Sequence, residues 1–146
     1  MYAVIRIRGT IGVKEDIKDT MKLLNLEKTN HCVLLEEKKE NEGMLQKAKD
    51  YLTWGEVNKK GLKTLLKRAD PNEQDLDSIK EEYGSLEQIS EQILENNKTL
   101  QDLGLKKVIR LHPPRKGFKN KKRDYKEGGS LGYRGKEINK LIKRMR

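Results

Sequence analysis

The chain has 146 residues, which suffices for one domain with a modest core or for a small core domain with an appendage, and excludes two large independent domains. It is 34% hydrophobic and 38% charged with a net charge of +10, yet its apolar residues recur at regular spacings, so much of it is expected to fold. No apolar stretch approaches the ~20 residues of a membrane span, the N-terminus is unlike a signal peptide, and one cysteine cannot form an internal disulfide, which predicts a soluble, cytoplasmic protein with no membrane partner.

The N-terminal residues predict a strand, a turn and a helix. Apolar and polar side chains alternate over residues 2–8, which is the period of a half-buried strand, and Arg6 and Arg8 fall on its outer, basic face. The glycines that follow predict a turn. Apolar residues then recur at helical spacing from Val13 to Leu24, which indicates an amphipathic helix.

The next segment predicts two further strands. Residues 31–37 form the second strand candidate, and residues 38–43 have the composition of a charged connection. A short helix is expected over residues 44–48, and the aromatic and β-branched content of residues 51–57 indicates a third strand. The resulting β-α-β-α-β unit is expected to bury one face of its sheet under two helices and to expose the other.

The segment that follows is expected to form a helical appendage. Leucines at helical spacing predict a helix that ends near Ala69, and capping boxes open two more helices at Asp70 and Ser85. Residues 70–102 carry ten acidic and two basic side chains, so these helices are expected to face away from any polyanion. The extended run at 108–111, which ends at two prolines, predicts either a strand of the appendage or an added edge strand.

The excess positive charge lies entirely in residues 112–146, which hold 13 Lys or Arg and three Asp or Glu, whereas the rest of the chain holds 20 of each sign. Residues 115–134 have few apolar side chains, so this part is expected to become ordered only against a partner. Residues 138–145 then predict an amphipathic docking helix. The side chains suited to phosphate contacts are Arg115, Lys116, Lys119, Lys121, Lys122, Arg123, Lys126 and Arg134.

Glycines and aromatic residues alternate with these cations. The aromatic residues are suited either to stacking on bases or to covering local apolar patches, and they are Phe118, Tyr125 and Tyr133. The glycines permit close backbone approach, and they lie at positions 117, 128, 129, 132 and 135. An irregular basic extension suits folded RNA better than a DNA groove, which a rigid helix usually reads. A free regulatory nucleic-acid-binding module and a merely solvated tail are the alternatives.

Catalytic chemistry finds little support in the sequence. The glycine loop departs from the phosphate-binding pattern of NTPases, because Ser130 stands where the first glycine is required and Glu137 stands where a Ser or Thr should bind Mg²⁺. The only histidines, His31 and His112, are far apart, and Cys32 has no second cysteine with which to form a metal site. No catalytic residue, metal, cofactor or small-molecule substrate is predicted. A small enzyme that uses the glycine loop remains the second alternative.

Four motifs together resemble one family, the L-thirty family of large-subunit ribosomal proteins. They are RIRGTIGVKEDIKDTMKLLNLEKTNHCVLL at 6–35, GMLQKAKDYLTWGEV at 43–57, HPPRKGFK at 112–119 and EGGSLGYRGKEINKLIKRM at 127–145. The last two resemble the C-terminal part of its long archaeal and eukaryotic members. The resemblance extends over essentially the whole chain, which is similar to an archaeal-type member.

The resemblance implies an α+β fold, namely a ferredoxin-like β-α-β-α-β core with an antiparallel sheet, a helical insertion and a basic C-terminal extension. It implies a non-enzymatic constituent of the large ribosomal subunit whose partners are ribosomal RNA and neighbouring ribosomal proteins. The corresponding divisions are residues 1–57, 58–111 and 112–146. The family's RNA contacts would fall on the basic segment 115–134 and on Gly9, Gly12, Lys14, Thr29, Asn30, His31, Trp54 and Gly55.

Overall fold

The computed structural model describes residues 1–9, 11–69, 84–96, 108–118 and 122–145. The strands are β1 (Tyr2–Arg6), β2 (His31–Leu35), β3 (Leu52–Glu56), β4 (Ile109–Arg110) and β5 (Gly132–Tyr133). The described helices are α1 (Glu15–Leu23), α2 (Lys39–Lys47), α3 (Lys59–Ala69), α4 (Leu86–Asn96) and α5 (Ile138–Met145). Short 3₁₀ turns occupy Tyr125–Glu127 and Gly135–Glu137. The predicted α+β fold with a ferredoxin-like core is therefore confirmed.

The five strands form one sheet in the order β4-β2-β1-β3-β5. The pairs β4–β2, β2–β1 and β1–β3 are antiparallel, as predicted, whereas β5 pairs with β3 in parallel. The run at 108–111 is resolved as an edge strand, because His31 pairs with Arg110 and Cys32 with Ile109. Both edges of the sheet are thus supplied by segments outside the β-α-β-α-β unit.

Both faces of the sheet are buried, so the predicted exposed face was wrong. Tyr2 and Val4 point into a core closed by α1 and α2, while Ala3 and Ile5 point into a second core closed by α3, α4 and α5. Strand β1 is buried along its whole length. Its period-2 pattern therefore alternates between two apolar environments, rather than between core and solvent.

Helix α2 begins at Lys39, inside the stretch predicted as a charged connection. Lysine and glutamate are good helix formers, and a surface helix needs apolar residues on only one stripe, here at Leu45. The side chain of Asn41 donates a hydrogen bond to the Glu36 carbonyl at 2.9 Å, which secures the first turn. The helix thus extends into the charged stretch because its polar residues face solvent.

The capping box that opens α4 forms as predicted. The Ser85 backbone N–H donates to Gln88 Oε1 at 2.9 Å, and the Gln88 N–H lies 3.4 Å from Ser85 Oγ. Ile89 and Ile93 of this helix are fully buried against the sheet. The helix predicted to open at Asp70 lies outside the described residues.

The C-terminal segment packs on the chain's own core. Ile138, Leu141, Ile142 and Met145 of α5 are all buried, which confirms the predicted docking helix. Leu131 is buried as well, and the Thr53 hydroxyl donates to the Gly132 carbonyl at 2.8 Å. The expectation that this part becomes ordered only against a partner was therefore wrong for residues 130–133, because one buried leucine and strand pairing fix them.

The backbone of the C-terminal extension approaches β3 closely at Gly55. Gly55 is buried, and a Cβ at this position would overlap the Gly135 carbonyl oxygen. Any larger residue must push the turn at Gly135 away from the sheet. The absence of a side chain at Gly55 is therefore a packing requirement of the fold.

We predict that Gly55→Ala destabilises the protein by about 1–3 kcal/mol, because overlap with a backbone atom cannot be relieved by a rotamer change. Urea unfolding should show a lower midpoint with an unchanged slope. Gly9→Ala is the matched control, since a Cβ there meets nothing within 4 Å. Equal midpoints for the two variants would contradict the close approach.

Candidate RNA-binding surface

The turns predicted to contact RNA meet at one end of the sheet. Strand β1 ends at Arg6, β2 begins at His31 and β4 ends at Arg110, so the neighbouring turns converge there. Backbone hydrogen bonds connect them, because the Asn30 N–H donates to the Arg6 carbonyl at 2.8 Å and the Leu111 N–H donates to the Asn30 carbonyl at 3.0 Å. We call this region the basic end of the sheet.

Most predicted residues of these turns are accessible. Gly9, Gly12, Lys14 and Thr29 are exposed. Asn30 is half-buried and has a left-handed backbone with φ of 65°, which asparagine tolerates better than most residues. The turns therefore offer backbone groups and the predicted cation Lys14 at the protein surface, beside the exposed Lys28.

Arg8 and Arg6 differ in their surroundings although they lie two residues apart. Arg8 is half-buried, and its guanidinium lies 5.1 Å from the centre of the Tyr51 ring. Arg6 is only 2% exposed, so its predicted place on an exposed basic face was wrong. Its side chain donates to the carbonyls of Leu26 at 2.7 Å and Arg8 at 2.9 Å, and burial lowers its pKa. Through these two carbonyls, the Arg6 side chain connects the turn after β1 with the turn before β2.

Three other predicted contacts lie on the opposite edge of the sheet and are engaged within the fold. Trp54 is 4% exposed, and Gly55 is buried under the Gly135 turn. Arg134 donates to Thr53 Oγ1 at 2.8 Å and to the Ser130 carbonyl at 2.6 Å. Burial lowers the pKa of Arg134 to about 10. Their positions fit roles in fixing β5 to β3.

The remaining predicted contact residues divide into two groups. Arg115, Lys116 and Gly117 are exposed beside the basic end, and Phe118 packs against the core under α3–α5. The second group is exposed around the 3₁₀ turn that precedes β5, and consists of Lys122, Arg123 and Lys126. The predicted residues Lys119 and Lys121 lie outside the described part of the chain.

The structure adds cations that sequence reasoning missed. Arg68, at the end of α3, donates to the Arg110 carbonyl at 3.1 Å, and its guanidinium lies 2.7 Å from the His112 ring nitrogen Nε2. Arg144, at the end of α5, donates to the Arg115 carbonyl at 2.8 Å. These residues, together with the exposed Lys116 that follows Arg115 in sequence, form what we call the edge patch, namely Arg68, Arg110, His112, Arg115, Lys116 and Arg144. The sequence signal was weak, and consisted of basic residues in the last turns of α3 and α5.

The edge patch is electrostatically unbalanced. Among the described residues, none of its side chains forms an ion pair with a carboxylate. Two acids of α4 are instead neutralised locally, since Glu87 pairs with Lys63 and Glu91 pairs with Lys59. Five cations that have no carboxylate partner among the described residues favour the approach of a polyanion.

His31, the first residue of β2, lies at the basic end and pairs with Arg110 of the edge patch. Burial lowers its pKa first, and the neighbouring Arg110, Lys28 and Arg6 lower it further, against a smaller opposing effect of Glu27. The imidazole is therefore neutral near pH 7 and fits hydrogen bonding rather than phosphate pairing. Burial also raises the pKa of the Cys32 thiol to about 12, which keeps it protonated.

Metal-binding and membrane-spanning features are not found in the described residues. No group of three or more His, Cys, Asp or Glu side chains is arranged there to hold a metal ion. Within the same ranges, no helix has the length and apolarity needed to cross a membrane.

The sequence matches a family model described as "Ribosomal protein L30p/L7e" over residues 2–52. A large ribosomal subunit protein uL30 from Methanosphaera stadtmanae is 48% identical over 151 residues, which cover 99% of both chains. The chain belongs to the L30p/L7e family. Proteins of the same name from Methanoregula boonei and Nanoarchaeum equitans are 44% and 43% identical, over 100% and 99% of this chain and 100% and 97% of theirs.

Family membership confirms the resemblance, including its archaeal character. The L30p/L7e model spans β1 to the start of β3, which includes the turns at the basic end. The uL30 relatives align along essentially the whole chain, which includes the edge patch and the C-terminal extension. The surface described above thus lies within the part shared with the family.

We predict that His31 makes stability pH-dependent. Its folded-state pKa lies below the unfolded value of about 6.5, so the unfolded chain binds the proton first and the free energy of unfolding falls as pH drops below about 6.5. Urea unfolding between pH 7.5 and 5.5 should show a flatter dependence for His31→Gln. Identical slopes for the parent and His31→Gln would refute this assignment.

Proposed function

We propose that this protein is a non-enzymatic structural constituent of the large ribosomal subunit, and that it binds ribosomal RNA through the basic end and the edge patch. Membership of the L30p/L7e family and the name shared by its relatives support the ribosomal part. One observation carries the RNA part, namely that cations from α3, β4, α5 and the extension converge beside the accessible turns. As a ribosomal protein it acts in the cytoplasm, with neighbouring ribosomal proteins as further partners.

The geometry suggests recognition of shape rather than of sequence. Arg68, Arg110 and Arg144 are attached to regular elements of a packed core, so their spacing is fixed before RNA arrives. Guanidinium groups bind phosphate oxygens in two-pronged contacts, which position a backbone without reading bases. The exposed glycine turns allow close approach to a folded RNA.

Sedimentation tests the ribosomal assignment. A tagged copy expressed in an archaeal host should sediment with large subunits and remain there after a wash at about 0.5 M salt, because ionic contacts buried within an assembled particle are screened much less than exposed ones. Recovery only in the free fraction would contradict the assignment. Preference of that free protein for duplex DNA would favour a regulatory nucleic-acid-binding module.

Removal of the edge-patch charges should weaken RNA binding in a salt-dependent way. For Arg110→Ala/Arg115→Ala/Lys116→Ala, we expect the slope of log K against log salt to decrease by about two to three, or roughly one for each lost phosphate contact. Filter binding to large-subunit ribosomal RNA at several salt concentrations measures this slope.

The matched control removes three cations that already pair with carboxylates. Lys18, Lys47 and Lys59 lie within 3.9 Å of Glu15, Asp16 and Glu91 respectively. Lys18→Ala/Lys47→Ala/Lys59→Ala should leave the slope nearly unchanged. Equal losses in the two triple variants would show that total charge, rather than the edge patch, determines binding.

A further inference from the structure

A cleft lies on the far side of the sheet from the edge patch, between α2 and the β3–β5 edge. Its volume is about 490 Å³, which is within the range of small-ligand sites. Three aromatic side chains line it, namely Tyr2, Trp54 and Tyr133. The opposite wall is one face of α2, formed by Lys39, Glu42, Gly43 and Gln46, and Lys126 closes one side.

Tyr133 presents an open ring in this cleft. It pairs with Trp54 across the β3–β5 ladder and therefore lies on the face of the sheet covered by α1 and α2, yet it is 38% exposed. Its ring centre lies 6.4 Å from those of Tyr2 and Trp54. The hydroxyl donates to the Glu56 carboxylate, and this hydrogen bond raises the pKa of Tyr133 to about 12. The ring is thus held at its polar end while more than a third of the residue (38%) remains exposed.

Gly43 is the second unusual feature of the cleft. It lies inside α2, where glycine is less favourable than almost any other residue, and a Cβ there would meet nothing within 4 Å. No contact within the described chain requires a glycine at this position. Its location in the cleft wall is explained if an occupant approaches the helix backbone there.

The charges of the cleft favour a flat, neutral group with an anionic flank. The carboxylates of Glu42 and Glu56 accept hydrogen bonds from the Tyr2 and Tyr133 hydroxyls, so they oppose a phosphate on the cleft floor. Lys39 and Lys126 stand beside the rings and are suited to phosphates at the rim. A nucleobase between two backbone phosphates has this combination, whereas a peptide side chain lacks the anionic flanks.

We propose that the cleft binds one unstacked nucleobase of the same large-subunit RNA, with Tyr133 as the stacking platform and Gly43 as the opening for close approach. This inference rests on the proposed function, since it takes ribosomal RNA as the partner. It assigns the RNA contact on this side of the molecule to Tyr133 rather than to the buried Trp54. The edge patch and the cleft then bind the RNA at opposite edges of the same sheet.

Trp54 is the only tryptophan, so its fluorescence reports on the cleft. We expect large-subunit RNA to change the Trp54 emission of the parent chain. Tyr133→Leu should remove this change and weaken binding about tenfold at fixed salt, which is within the effect of losing one stacked base. Tyr133→Phe keeps the ring and should retain both properties. If Tyr133→Leu binds RNA as the parent does, the proposal is overturned.

Gly43→Gln separates occlusion of the cleft from misfolding. Glutamine favours the helix over glycine, so this variant should have a higher Tm, yet bind RNA about tenfold more weakly because its side chain fills the cleft. Glu40→Gln, on the same helix but outside the cleft lining, should retain full affinity. A higher Tm with parental affinity for Gly43→Gln overturns the cleft assignment while leaving the edge patch intact.

Crosslinking identifies the class of occupant. A p-benzoylphenylalanine residue in place of Gln46, irradiated in isolated large subunits, should attach to RNA. Attachment to another ribosomal protein would overturn the nucleobase in favour of a peptide. Failure of the parent chain to bind large-subunit RNA at all, with no effect of the edge-patch variant, would instead overturn the proposed function and this inference together.

Discussion

Both faces of the small sheet are apolar, so each must be covered by helices, and the two covers come from different parts of the chain. Helices α1 and α2, which lie between the first three strands in sequence, cover one face. Helices α3, α4 and α5, which all follow β3 in sequence, cover the other. Burial of apolar area is the dominant stabilising term in folding, so the need to cover both faces of the sheet determines where the helices pack. For that reason the last turn of α3, which carries Arg68, lies beside β4, and the last turn of α5, which carries Arg144, lies beside the residues that follow β4. The edge patch is thus a product of core packing.

Arginine has two distinct uses in this molecule. Arg6 and Arg134 direct their guanidinium groups at carbonyls or a hydroxyl inside the fold and connect segments that are distant in sequence. Arg110 and Arg115 are exposed. The net charge of +10 therefore overstates the charge available to RNA, because buried cations contribute to the count without facing solvent. What matters for attraction of a polyanion is the number of cations that share one surface.

Local pattern predicted the elements well and their surroundings less well. Hydrophobic periodicity and composition identified β1 to β4, α1 and α5, because they record which residues of one element share a face, whereas β5 lies in a stretch predicted as a glycine turn. They gave no information on what covers the second face, so the outer side of β1 was assigned to solvent and Arg6 to the surface. Similarly, Trp54 and Gly55 belong to a characteristic motif, but the motif does not distinguish contact with RNA from packing under Gly135. The edge patch was missed because it joins residues from separate elements, which only the fold brings together.

The placement of α5 also bears on the order of events during synthesis. Residues 132–145 follow all other strands in the chain, yet they supply both an edge strand and a helix of the second core. Until residues 132–145 have emerged from the ribosome that synthesises the chain, Ala3, Ile5 and their neighbours lack part of their cover, and the edge patch lacks Arg144. Completion of the core and completion of the charged surface therefore coincide. A nascent chain cannot present the finished surface to RNA before its hydrophobic interior is closed.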